Sequence, residues 1–303
     1  MSKNFILIIL ILSMAITGCS TEKDSNPINN EEINQENIEI QTEPREGSLN
    51  VELPNQNQEE TESDLDEKIL KIMAKYADKE PLFFGENILG VYTRIKTQEK
   101  ILALTFDACG GKHGSEVDEE LIAYLIQEEI PATLFINARW MKANEEFFLE
   151  LSKISFLNLQ NHGMEHKPLS TTGESVYGIS GTLNLEEVLH EVLGQQKEME
   201  SLIYKSPKLF RSGTAYYDDI AIEVLDDLGV KAVNFSILGD AGATYSVQEM
   251  LSSAQRAKPG DILLYHMNQP EKQVAAGIKE VIPMLREKGF KFIKLIDYED
   301  QLD

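Results

Sequence analysis

The spacing of apolar and polar positions divides the 303-residue chain into three stretches. The first is an unbroken apolar run over residues 5–12, preceded by Lys3 and followed by small residues. The second has no period. Residues 20–67 hold eight large apolar side chains and no aromatic one. The third starts at about Ser63 and keeps a period to the C-terminus. SDLDEKILKIMAKYAD places Leu65, Ile69, Ile72, Met73 and Tyr76 on one face and predicts a helix. ILGVYTRIKTQEKILALTFD then gives two β-like runs. Beyond it, strand-like runs at 101–106, 132–137, 155–160, 208–211, 232–237, 261–266 and 291–296 alternate with helix-like stretches.

Local signals mark the ends of those helices. SEVDEELIAYLIQEE lines up Val117, Leu121, Leu125, Ile122 and Ile126. Asn184 is placed to cap a helix carrying Leu185, Val188, Val192 and Met199. Ser246 and Glu249 have the spacing of a capping box. Gly229 and Gly289 sit just past two helices, each before the next strand. Seven strands alternating with helices predict parallel βα units. A closed barrel and an open doubly wound sheet both satisfy this pattern. The sequence shows no internal repeat.

Charge changes the picture at the N-terminus. The formal charge is -23, which excludes nucleic acid as a natural partner. Residues 20–67 carry fifteen Asp and Glu against Lys23 and Arg45. So polar a stretch buries too little apolar surface to offset its chain entropy, and it is expected to be a disordered linker. The apolar run ahead of it reads as a secretory signal, too short to cross a membrane. Its ending, Ile16-Thr17-Gly18-Cys19, resembles the lipobox of bacterial lipoproteins. That resemblance implies cleavage before Cys19, lipidation of its thiol and anchoring to the outer face of the bacterial membrane. Cys109 is then a single free thiol in an exported protein. The expected organisation is a signal peptide (1–18), a lipid-anchored acidic linker (19–62), a lead-in helix and β segment (63–97) and one α/β domain (98–303).

In parallel βα folds, chemistry collects at the C-terminal ends of the strands. Asp107, His162, Arg211, Asp240 and His266 all fall there, after the first, third, fourth, fifth and sixth runs. Five ionisable groups at one end of a sheet are too many for caps. His162 and His166 are four apart, a spacing that puts both imidazoles on one side of a helical turn. Two imidazoles and a carboxylate suit a divalent metal, zinc above all. His113 lies in a glycine-rich loop, and His190 sits mid-helix in a structural setting. No phosphate-cradling glycine motif follows the first strand, so nothing supports nucleotide binding.

Taken together, TFD at 105–107, NHGMEH at 161–166, FRSG at 210–213 and LYH at 264–266 resemble the successive motifs of polysaccharide deacetylases with a NodB homology domain, carbohydrate esterase family 4. The resemblance runs from about Ile101 to the C-terminus. It implies a distorted (β/α)7 barrel and metal-dependent removal of acetyl groups from a sugar polymer of the envelope or extracellular space. It assigns Asp107 as catalytic base, His162 and His166 as metal ligands, Arg211 as the group orienting the base, and His266 as the acid that protonates the departing amine.

Two departures stand out. The family's usual second aspartate, its third metal ligand, is replaced by Ala108, and Ser212 and Gly213 replace the prolines of the arginine motif. Asp107, Cys109 or Asp240 can stand in as the third ligand. Asp107, the nearest acidic group on the same strand end, is the one expected, with Cys109 a small packing residue. A barrel that binds glycan without hydrolysis is the alternative that Ala108 favours. The polar loop 164–183, with Tyr216 and Tyr217, is expected to shape a sugar cleft.

Overall fold

The computed structural model describes residues 62–303. The expected signal peptide, Cys19 and the linker up to residue 61 lie outside the described residues. The lead-in helix α1 (Glu62–Tyr76) forms as its periodicity predicts. It buries Ile72 and Tyr76 in one cluster with Val224, Leu225 and Leu228. The Tyr76 hydroxyl donates to Asp227 at 2.9 Å, and Lys75 pairs with the same carboxylate at 2.7 Å.

The chain continues through β1 (Phe84–Gly85), β2 (Val91–Tyr92), β3 (Ile101–Ala108), α2 (Glu119–Gln127), β4 (Ala132–Ile136), α3 (Ala138–Ala143), α4 (Glu145–Ser152) and β5 (Leu157–Asn161). A long helical stretch follows: α5 (Leu185–Leu189), a π-helical turn (His190–Gly194) and α6 (Gln195–Ile203). Then come β6 (Leu209–Phe210), β7 (Tyr217–Asp218), α7 (Asp219–Leu228), β8 (Lys231–Val233), β9 (Ile237–Leu238), α8 (Val247–Ala254), β10 (Ile262–His266), α9 (Val274–Glu287) and β11 (Lys291–Ile293), closed by a 3-10 turn (Leu295–Gln301). The predicted caps are in place. Asn184 accepts from the Glu187 amide, Ser246 and Glu249 cap reciprocally, and Gly229 ends α7 in the left-handed conformation.

The main sheet runs β2-β8-β6-β5-β4-β3-β10-β9, and β11 pairs with the first half of β3. Every pairing in it is parallel. The predicted fifth strand is broken. Its first half, β8, pairs with β6, and its second half, β9, pairs with β10. The chain between them, residues 234–236, therefore joins the two sides of the sheet. This is the distorted (β/α)7 barrel: the curled sheet is interrupted at one strand and spanned there by covalent connection rather than by a ladder.

Alternation along β3 sorts its side chains between two compartments. Ile101 and Ala103 join Phe135, Leu209, Val233, Ile262 and Leu295 inside the barrel. Leu102, Leu104, Phe106 and Ala108 pack outward with Leu121 and Leu125 of α2 and Ile278 and Val281 of α9. All eight residues are buried, as expected of a parallel strand covered on both faces. Thr105 and Asp107 are thereby committed to the interior and Ala108 to the helix layer.

Candidate active site

Asp107, next to last in β3, is in register with His266 at the end of β10. Both point their chemistry at the C-terminal mouth of the barrel. Arg211 follows β6 and reaches across the interior, wholly buried. Its Nη1 donates to Asp107 Oδ1 at 2.7 Å and to Thr105 Oγ1 at 3.0 Å. Its Nε and Nη2 donate to the carbonyls of Val233 and Asn234, each at 3.0 Å. The guanidinium also lies 4.2 Å from the centroid of the Phe135 ring. Those two carbonyls belong to the broken fifth strand. Arg211 therefore neutralises the candidate base and satisfies backbone that the interrupted ladder leaves without partners.

His162 follows β5 and is buried. Its Nδ1 lies 2.9 Å from the Arg211 carbonyl, which can only accept, so Nδ1 carries a proton. Nε2 is left facing 3.6 Å from Asp107 Oδ2 and 3.7 Å from Cys109 Sγ. Burial works against a charged imidazole here, but Asp107 and then Cys109 outweigh it and raise the His162 pKa. Surroundings that favour a proton at Nε2 favour a metal cation in its place.

The two histidines come together without a helical turn, which corrects the expectation for the HxxxH pair. Residues 162–166 form a bent loop, with His166 in the left-handed region at φ 62°. The rings stand at 89° to one another with centroids 4.9 Å apart. Such a backbone conformation persists only where its surroundings impose it, and two groups do so. The Asn137 amide donates to the carbonyls of His162 and Gly163. The buried Glu191 carboxylate accepts from the Glu165 amide at 2.9 Å and the Lys167 amide at 3.1 Å. Glu191 sits in the π-helical turn, a type of helix distortion frequent at functional sites. Burial pushes its carboxyl above the usual range, against those backbone donors. Gly213 closes the other side. Its amide donates to the Lys167 carbonyl at 3.2 Å, and a Cβ there would stand 2.3 Å from the His166 carbonyl carbon.

Cys109 follows Ala108 directly and returns to the interior face. The Arg139 guanidinium donates to its carbonyl at 3.2 Å. Gly110, at φ 71°, lets the chain pass so close to α3 that a Cβ would meet the Trp140 amide nitrogen at 2.5 Å. Burial would raise the Cys109 pKa, but the surrounding imidazoles of His166, His162 and His266 hold it well below the ordinary thiol range. Among the described residues, Cys109, His162 and His166 form the group suited to a metal, their ligand atoms all within 4.8 Å of one another. Asp107, expected as the third ligand, is near His162 but outside that group. Asp240, the other candidate, is otherwise engaged. Its oxygens accept from the His266 amide at 2.6 Å and from His266 Nδ1 at 2.9 Å.

That engagement defines His266. With Nδ1 donating to a wholly buried carboxylate, Nε2 is the nitrogen left for proton transfer. Burial opposes the imidazolium, yet the Asp240 charge and hydrogen bond carry the His266 pKa well above the usual value.

Other expectations sort cleanly. His113 and His190 are exposed and take no part. Tyr217 is a core residue, its hydroxyl accepting from the Ser212 amide at 2.9 Å and donating to Asn234 at 3.3 Å. Tyr216 instead lies among Tyr177 and Phe84, with ring centroids 5.7 and 5.5 Å away, and Tyr177 is 72% exposed. The loop 164–183 does present an aromatic surface, Tyr177 against the expected Tyr216, while Tyr217 takes no part in it. Glu191, Arg139 and Asn137 escaped the sequence reading. An acidic residue between Val188 and Val192, on the apolar face of a helix, was the one available sign of Glu191.

The polysaccharide deacetylase family model matches residues 94–233, a stretch that includes every site residue except Asp240 and His266. A peptidoglycan-N-acetylglucosamine deacetylase of Bacillus cereus is 24% identical over 203 residues, 66% of this chain and 88% of that protein. Among solved structures, a carbohydrate esterase family 4 pseudoenzyme from Bacillus anthracis aligns with a TM-score of 0.58 at 18% identity, covering 77% of this chain and 80% of that one. A mutant of that pseudoenzyme with restored enzymatic activity aligns with a TM-score of 0.59 at 19% identity, over 77% and 83%. The same fold thus appears with and without catalysis.

Proposed function

We propose, from the premise that this chain carries a polysaccharide deacetylase domain of the carbohydrate esterase family 4 kind, that it is a metal-dependent hydrolase removing acetyl groups from an envelope polysaccharide. The observation that carries the reading is the pairing of two proton-transfer groups in one register. Asp107 is held by Arg211 and His266 by Asp240 on neighbouring strands. A protein that only binds glycan has no use for a buttressed base facing a buttressed acid.

His162 and His166 would hold a divalent metal, which when bound would supply Lewis acidity toward an acetyl carbonyl and a water. Both residues suit it. His162 offers Nε2 because Nδ1 is occupied, and His166 Nε2 is a buried atom with no hydrogen-bond partner. Asp107 takes a proton from the attacking water. Water's oxygen bonds to the acetyl carbon, the C–N bond breaks, and His266 Nε2 gives its proton to the departing nitrogen, leaving acetate and a free amine. Arg211 fixes the direction of the Asp107 carboxylate, and Asp240 fixes the ring of His266. The exposed Tyr177, stacked edge-on against Tyr216, offers a face on which a sugar ring can lie. Because the Bacillus cereus relative is a deacetylase of peptidoglycan N-acetylglucosamine, that glycan is the substrate to try first.

His266→Ala separates this reading from glycan binding alone. It is expected to keep the metal and to lose about 10²–10⁴-fold in turnover, the worth of one acid–base group. The assay is acetate release from N-acetylglucosamine oligomers, with metal content measured on the same samples. Full activity in His266→Ala, or none in the metal-loaded parent on any acetylated glycan, defeats the proposal.

The same reading places the enzyme outside the cytoplasm on a lipid anchor. Its support is Ile16-Thr17-Gly18-Cys19 followed by an acidic tether. Mass spectrometry of the mature N-terminus is expected to find a diacylglyceryl-modified Cys19. An unmodified N-terminus starting elsewhere rules the anchor out.

A further inference from the structure

The site as the resemblance describes it lacks a ligand, and the geometry says where the replacement stands. Position 108 cannot supply it. Ala108 is buried among Leu121, Leu125 and Ile278, on the face of β3 turned to the helices, so a carboxylate there would enter an apolar layer. Residue 109 is the next to face inward, and it is a thiol. Cys109 Sγ lies 3.7 Å from His162 Nε2. A tetrahedral zinc with bonds of about 2.1 Å to nitrogen and about 2.3 Å to sulfur sets those two ligand atoms about 3.6 Å apart. The third corner, His166 Nε2, is buried and has no hydrogen-bond partner. Three donors converge, each aimed by a separate device: the Arg211 carbonyl behind His162, the Glu191 carboxylate under the His166 loop, and Arg139 on the Cys109 carbonyl. These are the outer contacts that hold built metal sites in shape.

We propose that Cys109 is the third protein ligand, so that this chain binds its metal through two imidazoles and a thiolate, with Asp107 left outside the coordination set. The inference rests on the metal-dependent reading of the site. Its consequence is a change of metal preference. A thiolate selects zinc and, as a probe, cobalt(II), over the harder magnesium and manganese that oxygen ligands accept. It also frees Asp107 from double duty, since a carboxylate bound to Arg211 at 2.7 Å keeps its second oxygen for a proton.

The test uses the full chain stripped of metal and reloaded with cobalt(II) or zinc. The cobalt form is expected to show a thiolate-to-cobalt charge-transfer band in the near ultraviolet, lost in Cys109→Ser. Zinc affinity of that variant should fall by more than the about 10–100-fold that loss of an outer contact costs. Cys109→Asp is expected to recover the metal without the band, which also guards against a serine variant that fails to fold. Cobalt bound to the parent with no such band overturns the inference, as does a band that survives in Cys109→Ser or Cys109→Asp. Failure of the function is read separately. A parent with the band that releases no acetate leaves the ligand assignment standing and sinks deacetylation; acetate release by a parent without the band does the reverse.

Discussion

Arg211→Met will cost this protein about 3–5 kcal/mol of stability, the penalty for removing one partner of a buried ion pair. Methionine matches much of the side chain's volume, so the loss is electrostatic more than steric. It strands the Asp107 carboxylate, which is buried and takes its shortest hydrogen bond from Arg211. It also strips donors from the Val233 and Asn234 carbonyls, where the sheet has no ladder to replace them. Chemical denaturation of metal-free protein measures the loss without the contribution of bound ligand. Adding Asp107→Leu to Arg211→Met is expected to return part of it, because the uncompensated charge is then gone and two contacting residues do not act additively. A single variant within about 1 kcal/mol of the parent would show that the pair does not carry this burden.

Asp107→Asn should lower kcat/KM for acetate release by about 10²–10⁴-fold while leaving the metal in place. The amide keeps the carboxylate's shape and still accepts from Arg211 through its oxygen, but it takes no proton. Metal content decides between two roles for the residue. Retention with loss of turnover makes Asp107 a base alone; loss of both makes it a ligand as well, as the sequence suggested. Activity within tenfold of the parent would remove it from the mechanism.

Much of this is legible in the sequence alone. Seven strand runs, the helix caps and the five strand-end groups all came from period and position, and each has a structural counterpart. What the sequence concealed has physical reasons. The break in the fifth strand leaves no mark, because AVNFSI is as apolar and β-branched as an unbroken strand. The HxxxH pair suggested a helix because spacing alone does not distinguish a helical turn from a loop that Glu191 and Asn137 hold bent. The sequence alone favours Asp107 over Cys109 as the acid nearest the histidines, and does not show that Cys109 lies with them in the group suited to a metal. Strict alternation through Ala108 puts the thiol on the interior face, and Arg211 has already claimed one oxygen of the carboxylate. Asp240 lay on the right strand end but serves His266.

Gly213 leaves the histidine loop little room to change by small steps. Any side chain at this position runs into the backbone of His166, and a proline would also forfeit the amide bond to Lys167. A lineage bearing this loop therefore cannot acquire the prolines of the usual arginine motif one substitution at a time. The loop must be rebuilt first, or both must change together. The same holds in reverse for a laboratory graft. Transplanting a proline-bearing arginine segment into this barrel is expected to fail unless residues 162–167 travel with it, because the two stretches, some fifty residues apart in the chain, press backbone against backbone.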